Sequence, residues 1–114
     1  MNTGVTKRIV IATDFSPYPA GRFIDDGEFN GTTFRIDYLA PALREFDRVE
    51  VVFDGVAGFG SSFLEEAFGG LIREEGIDLE DLNEKLILST TEPDLKDDVQ
   101  LTKKYMKLAA AARK

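Results

Sequence analysis

Cysteine, histidine and tryptophan are all missing from the 114 residues. Without the first two there are no disulfides, thiolate nucleophiles, thiolate or imidazole zinc sites, and no Ser-His-Asp or Cys-His catalysis. Any acid–base chemistry would fall to Asp, Glu, Lys or Tyr, and neither a catalytic residue, a metal nor a cofactor is expected. No apolar run approaches the roughly 18 residues that a membrane-crossing helix requires. The first such run, Ile9 to Ala12, stops at Thr13-Asp14 and is too short for a signal-peptide core. These absences lead us to expect a soluble cytoplasmic protein without membrane contact.

What is present suffices for one domain. The chain is 43% hydrophobic with nine Phe, enough apolar material for a core. Its net charge of -7 would repel a phosphate backbone, so a protein partner is expected rather than nucleic acid. The charge is uneven: -3 over residues 1–64, -9 over 65–102 and +5 over 103–114. The last stretch is a basic tip on an acidic domain.

Hydrophobic patterning gives the order ββαβαβα. RIVIAT at 8–13 reads as a strand, DFSPYPAG at 14–21 as a loop, and Arg22 to Asp25 as a short second strand before the Asp26-Gly27 turn. Ile36, Leu39, Leu43 and Phe46 share one face of a helix over 32–47, in which Pro41 either kinks the helix or delays its start. VEVVF at 49–53 is the strongest strand, and KLILS at 85–89 is another. Between them, a helix over 61–75 presents Leu64, Ala67, Phe68, Leu71 and Ile72. A final helix over about 94–112, opened by a Thr91–Asp94 capping box, carries Leu95, Val99, Leu101, Tyr105, Met106 and Leu108. The expected fold is a single α/β domain over residues 8–114 after a flexible 1–7, with a mixed sheet of about four strands covered by about three helices.

The segment from Val51 to Glu75 carries the chemistry. In an open α/β sheet, ligands lie beyond the carboxyl ends of the strands, where the next helix offers free amides. Asp54, Gly55, Gly58, Phe59, Gly60, Ser61 and Ser62 fall at that edge. Gly55 and Gly60 have phosphate-loop spacing, but the lysine that reaches the β- and γ-phosphates is missing. The dinucleotide fingerprint fails because Phe63 takes the third glycine position. Ser62 to Glu65 has capping-box spacing, a structural role, while a hydroxyl at a helix N-terminus also suits phosphorylation. The Gly69-Gly70 pair inside a helix implies close approach of another element or of a partner. Phe15, Tyr18 and Phe59 lie in loops and either fold back on the core or form a contact patch.

The stretch VVFDGVAGFGSSFLEEAFGGLI, with GRFIDDG and NGTTFR upstream, resembles the STAS-like domain family of unknown function over about residues 8 to 90. The resemblance implies a fold related to the STAS domains of anti-sigma-factor antagonists. In those regulators an Asp-Ser-Ser-Gly motif opens a helix, and its first serine is phosphorylated by a GHKL-class ATPase kinase. Ser61 and Ser62 match the two serines; Gly60 replaces the Asp and Phe63 the Gly. The implied protein is a non-enzymatic interaction module, a monomer or weak homodimer. It would dock its partner through loop 55–61 and helix 61–75, where Glu65, Glu66, Gly69 and Gly70 are the candidate docking residues. Two alternatives come from other classes. One is a receiver-like domain phosphorylated at Asp54, with Asp14 and Thr90 at neighbouring strand ends. The other is a small-ligand or anion sensor pairing Asp54 with Arg22 or Arg35.

Overall fold

The computed structural model describes residues 5–113. Three strands, β1 (Thr6–Val10), β2 (Arg48–Val52) and β3 (Leu86–Ser89), form a sheet in the order β1-β2-β3. Every pairing is parallel, with Val49 facing both Lys7 and Leu86 and Val51 facing both Ile9 and Leu88. The sheet is therefore not mixed, and among the described residues it has three strands rather than four. The segment expected as the missing strand is a short 3-10 turn, Ile24–Asp26. There the Asp26 carboxylate accepts from the amides of Arg22 and Phe23, and this local bonding competes with strand pairing. β1 starts at Thr6, so residues 6 and 7 of the expected flexible segment pair with β2, while residues 1–4 lie outside the described part.

Parallel strands require crossovers, and helices supply both. Helix α1 runs from Gly31–Phe34 through a wide π turn, Arg35–Leu39, into Ala40–Glu45. Asn30 opens it, its side chain accepting from the Thr33 amide. The wide turn lies immediately ahead of Pro41, whose ring would collide with the Asp37 carbonyl in a regular helix. So the helix does not start late; of the two expectations, the irregularity ahead of Pro41 is the one found, as a wide turn. The extra residue shifts the phase of the stripe: Leu39 and Leu43 are buried, but Ile36 is 49% exposed and Phe34 takes its place in the core.

Helix α2 is built the same way, with Ser61–Leu64, a wide turn at Glu65–Gly69, and Gly70–Arg73. A short helix, α3 (Leu79–Lys85), leads into β3, and a 3-10 turn at Pro93–Leu95 leads into α4 (Lys96–Ala112). The Thr91–Asp94 box does not form: Glu92, not Thr91, is the N-cap of the turn, and the Thr91 hydroxyl points to Asp54. The buried stripe of α4 is Val99, Thr102, Met106 and Ala109, leaving Leu108 55% exposed.

α1 packs on α2, and α2 on α4. This row of helices covers the sheet face that carries Ile9, Val49, Val51 and Leu86, all buried. Phe34, Phe53, Phe63 and Phe68 fill the space between the layers, with Phe34 and Phe63 centroids 5.7 Å apart. On the other face Arg8, Glu50 and Ile87 form a row facing away from the helices, since side chains alternate along a strand.

At Gly31 the helix backbones meet closely. A Cβ there would stand 2.8 Å from the Phe63 carbonyl oxygen and 3.1 Å from the Ala67 amide nitrogen, both backbone atoms of α2. Gly31→Ala should therefore destabilise the protein by about 1–3 kcal/mol. Gly58→Ala, which meets nothing within 4 Å, should change stability by less than about 0.5 kcal/mol. Urea unfolding of both variants checks the contrast.

Candidate functional site

The carboxyl ends of all three strands open on one edge. After β2, the backbone passes buried Phe53 and reaches Asp54, whose carboxylate accepts from three donors. Its Oδ1 accepts from the Thr90 hydroxyl and, at 2.8 Å, from the Thr91 amide, and its Oδ2 accepts from the Thr91 hydroxyl at 2.6 Å. The next residue, Gly55, donates its amide to Glu92 Oε2 at 2.6 Å. Asp54 and Gly55 thus latch the loop after β2 to the connection between β3 and α4. The Thr90 hydroxyl, followed by that of Thr91, holds the Asp54 carboxyl below its ordinary range.

Val56 is buried in the core, but much of the remaining loop is exposed. Gly58, Gly60, Ser61 and Ser62 are exposed. Gly60 is the N-cap of α2 and has no side chain, so Ser61 and Ser62 occupy its first two helical positions. The capping box expected from Ser62 to Glu65 is absent, since Ser62 stands inside the helix rather than at its N-cap and the Glu65 carboxylate goes to Arg22 and Arg73. Phe59 turns back on the core, its ring 4.8 Å from Phe53. Phe15 does likewise among Phe29, Phe34 and Tyr38. Only Tyr18 of the three loop aromatics stands out, at 72% exposure. Pro17, beside it, accepts from the Ala57 amide at 2.9 Å, which joins loop 16–20 to loop 55–61.

Glu66, Gly69 and Gly70, expected to meet a partner, face inward instead. Arg35 of α1 is 4% exposed and Glu66 of α2 is 5% exposed. Arg35 Nη1 donates to Glu66 Oε2 at 2.7 Å and to the Glu66 carbonyl at 2.8 Å, and its Nε reaches Glu75 Oε2 at 3.1 Å. A Cβ on Gly70 would come 2.4 Å from that guanidinium. The element that Gly70 admits is thus the chain's own α1. Gly69 lies under Glu65, to whose Oε2 a Cβ would approach within 2.7 Å. Glu65 is half-buried between Arg22 and Arg73, with Arg73 Nη1 at 2.8 Å. Burial opposes its ionisation, but the bonds from Arg73 and then Arg22 outweigh it and lower the Glu65 pKa. With Arg22 and Arg35 both held by glutamates, neither pairs with Asp54 in a ligand site.

Residues 30–96, more than half the chain, match the family described as the STAS-like domain of unknown function. The chain belongs to that family. The matched region of this STAS-like domain includes the Asp54 latch, both serines and the Arg35–Glu66 pair; the GRFIDDG segment precedes it. No curated protein and no solved structure matches the chain. No helix among the described residues is long and apolar enough to cross a membrane.

Two of these contacts were not legible beforehand. Nothing in the local pattern around Thr90-Thr91 marks it as a partner of Asp54, although a strand-end carboxylate opposite a strand-end hydroxyl pair is a usable signal once the parallel register is known. Arg35 reads as a ligand-site partner of Asp54, and nothing in the local pattern points to burial against Glu66.

Arg35→Leu should destabilise the domain by about 3 kcal/mol, because it leaves Glu66 buried with one cation fewer; chemical denaturation measures this. The acid response has a definite sign. Asp54 and Glu65 are depressed in the folded state, so their stabilisation is complete above the unfolded carboxylate range near 4 and is lost as pH falls through their lower folded values. The urea midpoint should therefore hold between about pH 7 and 5 and decline below about pH 4. Asp54→Asn should make that decline shallower.

Proposed function

We propose that this STAS-like domain is a non-enzymatic regulatory interaction module, acting as a monomer or weak homodimer. It docks a protein partner of the GHKL ATPase or kinase class through loop 55–61, the first turn of α2 and Tyr18. The observation carrying this reading is the pair of exposed hydroxyls, Ser61 and Ser62, at the start of a helix whose N-cap is glycine. The first-turn amides have no intrahelical partner. A phosphoryl dianion on Ser61 would meet these amides and the positive end of the helix dipole. In that transfer the Ser61 Oγ loses its proton and takes the γ-phosphoryl group from the partner's ATP, releasing ADP. The Asp54 latch supports the same edge by fixing the start of the loop, and exposed Tyr18 supplies an aromatic anchor of the kind that dominates interfaces.

Contact between Thr90 and Asp54 favours a second, receiver-like reading, in which Asp54 accepts phosphoryl from a small acyl phosphate. The three donors on its carboxylate weigh against this, since they stabilise the resting anion. Labelling with acetyl phosphate should give the same result for the parent chain and Asp54→Asn; label lost only in the variant would establish the receiver reading.

Incubation with a GHKL-class kinase and ATP, followed by mass spectrometry, should place phosphate on Ser61. Ser61→Ala should abolish the modification and Ser62→Ala should retain it, while phosphate on neither serine would discard the switch. Tyr18→Ala should weaken partner binding by about 2 kcal/mol, and binding unaffected by both Tyr18→Ala and Ser61→Glu would remove the docking edge itself.

A further inference from the structure

β3 ends the sheet, and among the described residues its outer side has no neighbouring strand. Ser89 turns its carbonyl to β2, where it accepts from the Phe53 amide at 2.9 Å. Along a strand, successive peptide groups point to opposite sides, so Leu88 turns both its N–H and its C=O to the free edge. A cleft of about 480 Å³ runs beside that edge, lined by Leu79, Leu82, Leu86, Leu88 and Met106, with Lys103 and Lys107 on its α4 side. A second hollow continues it past Ser89 and Thr90 to Lys96. Lys96, Lys103 and Lys107 are spaced by seven and four residues, which puts them on one face of α4. All three are exposed, and none is paired with a carboxylate among the described residues.

We propose that the free edge of β3 takes up an extended acidic peptide segment of a partner protein as a fourth strand, lying in the cleft beneath α4. Strand addition supplies main-chain hydrogen bonds to Leu88, and side-chain pockets select the sequence. On this surface the selection is for carboxylates opposite the three lysines and an apolar residue over Leu82 and Met106. Charge complementarity identifies the occupant. In a chain of net charge -7, unpaired lysines bordering an apolar cleft are a local reversal of sign that attracts acidic segments and repels basic ones. A second copy of this chain fits poorly, because edge-to-edge pairing about a two-fold axis brings two lysine rows together. Neither Ser61 nor Tyr18 lines this surface, so it adds a binding site to the one proposed above.

The probe is a fluorescein-labelled peptide of about eight residues alternating Glu and Val, a strand-length segment, with a Lys/Val peptide as its counterpart. The Glu/Val peptide should bind in fluorescence anisotropy, and the Lys/Val peptide should not. The exposed double substitution Lys103→Glu, Lys107→Glu should weaken Glu/Val binding at least about tenfold and admit Lys/Val. In amide hydrogen exchange, the bound peptide should slow the Leu88 N–H while leaving residues 55–62 unchanged. Leu88→Pro, which removes the outward donor alone, should abolish binding; if it unfolds, the lysine double variant and the Leu88 exchange rate still decide. Affinity unchanged by charge reversal, protection mapping to residues 55–62, no binding of the Glu/Val peptide, or capture by phosphatidylserine vesicles in place of the peptide would each overturn the proposal.

Discussion

The Arg35–Glu66 pair holds the two crossover helices in register, and much of the architecture is arranged around it. Each partner sits at a wide turn, Arg35 at the start of one and Glu66 within the other. The turns bring the guanidinium and carboxylate into contact across a helix interface that would otherwise be filled by hydrocarbon. Gly70 leaves room for the arginine, and Gly31 lets the helices approach closely enough for the pair to form. A buried ion pair is weak evidence of net stabilisation, because desolvation offsets most of the attraction. Its effect here is on geometry: α1 and α2 have few other registers in which neither charge is stranded. The position of the first turn of α2, and so of Ser61, follows from that register.

The outer glutamates and arginines extend the same arrangement. Glu65 bridges Arg22 and Arg73, and Glu75 bridges Arg35 and Arg44. Part of the strong negative charge of residues 65–102 is therefore neutralised inside the fold and is not available to a partner. Among the described residues, Lys96, Lys103, Lys104 and Lys107 of α4 have no carboxylate partner. A reading of net charge alone would have placed the partner-facing surface on the acidic helix, and three of the four residues proposed there prove to be internal.

Hydrophobic patterning was sufficient for β2, β3 and α2, whose apolar residues lie where a period of two or of 3.6 places them. It located β1 to within two residues at its start and overran its end, because Ile11 continues the apolar run while the backbone already curls into a wide turn. The false strand at 22–25 arose from apolar Phe23 and Ile24, which are in fact exposed; Asp26 captures the amides that a strand would have used. Ile36 and Leu108 were misplaced for related reasons. A wide turn shifts the helical phase, and in α4 the small residues Thr102 and Ala109 occupy the packed stripe against α2 in preference to bulkier neighbours. At the site, the position of Ser61 and Ser62 was legible from the strand-loop-helix order. The engagement of Asp54 was not, because its partners lie 36 and 37 residues away.

That separation bears on the order in which the domain is completed. Closing a loop of this length costs conformational entropy before any contact repays it. The Asp54–Thr91 and Gly55–Glu92 bonds cannot form until α2, α3 and β3 have been laid down and paired. During synthesis the loop ahead of Ser61 consequently lacks these bonds for as long as residues 86–92 are still within the ribosome, and only the Pro17–Ala57 bond ties it to earlier chain. The serine-bearing edge acquires its final shape late, and a chain ending before Thr90 would present the same residues without the tether that fixes them.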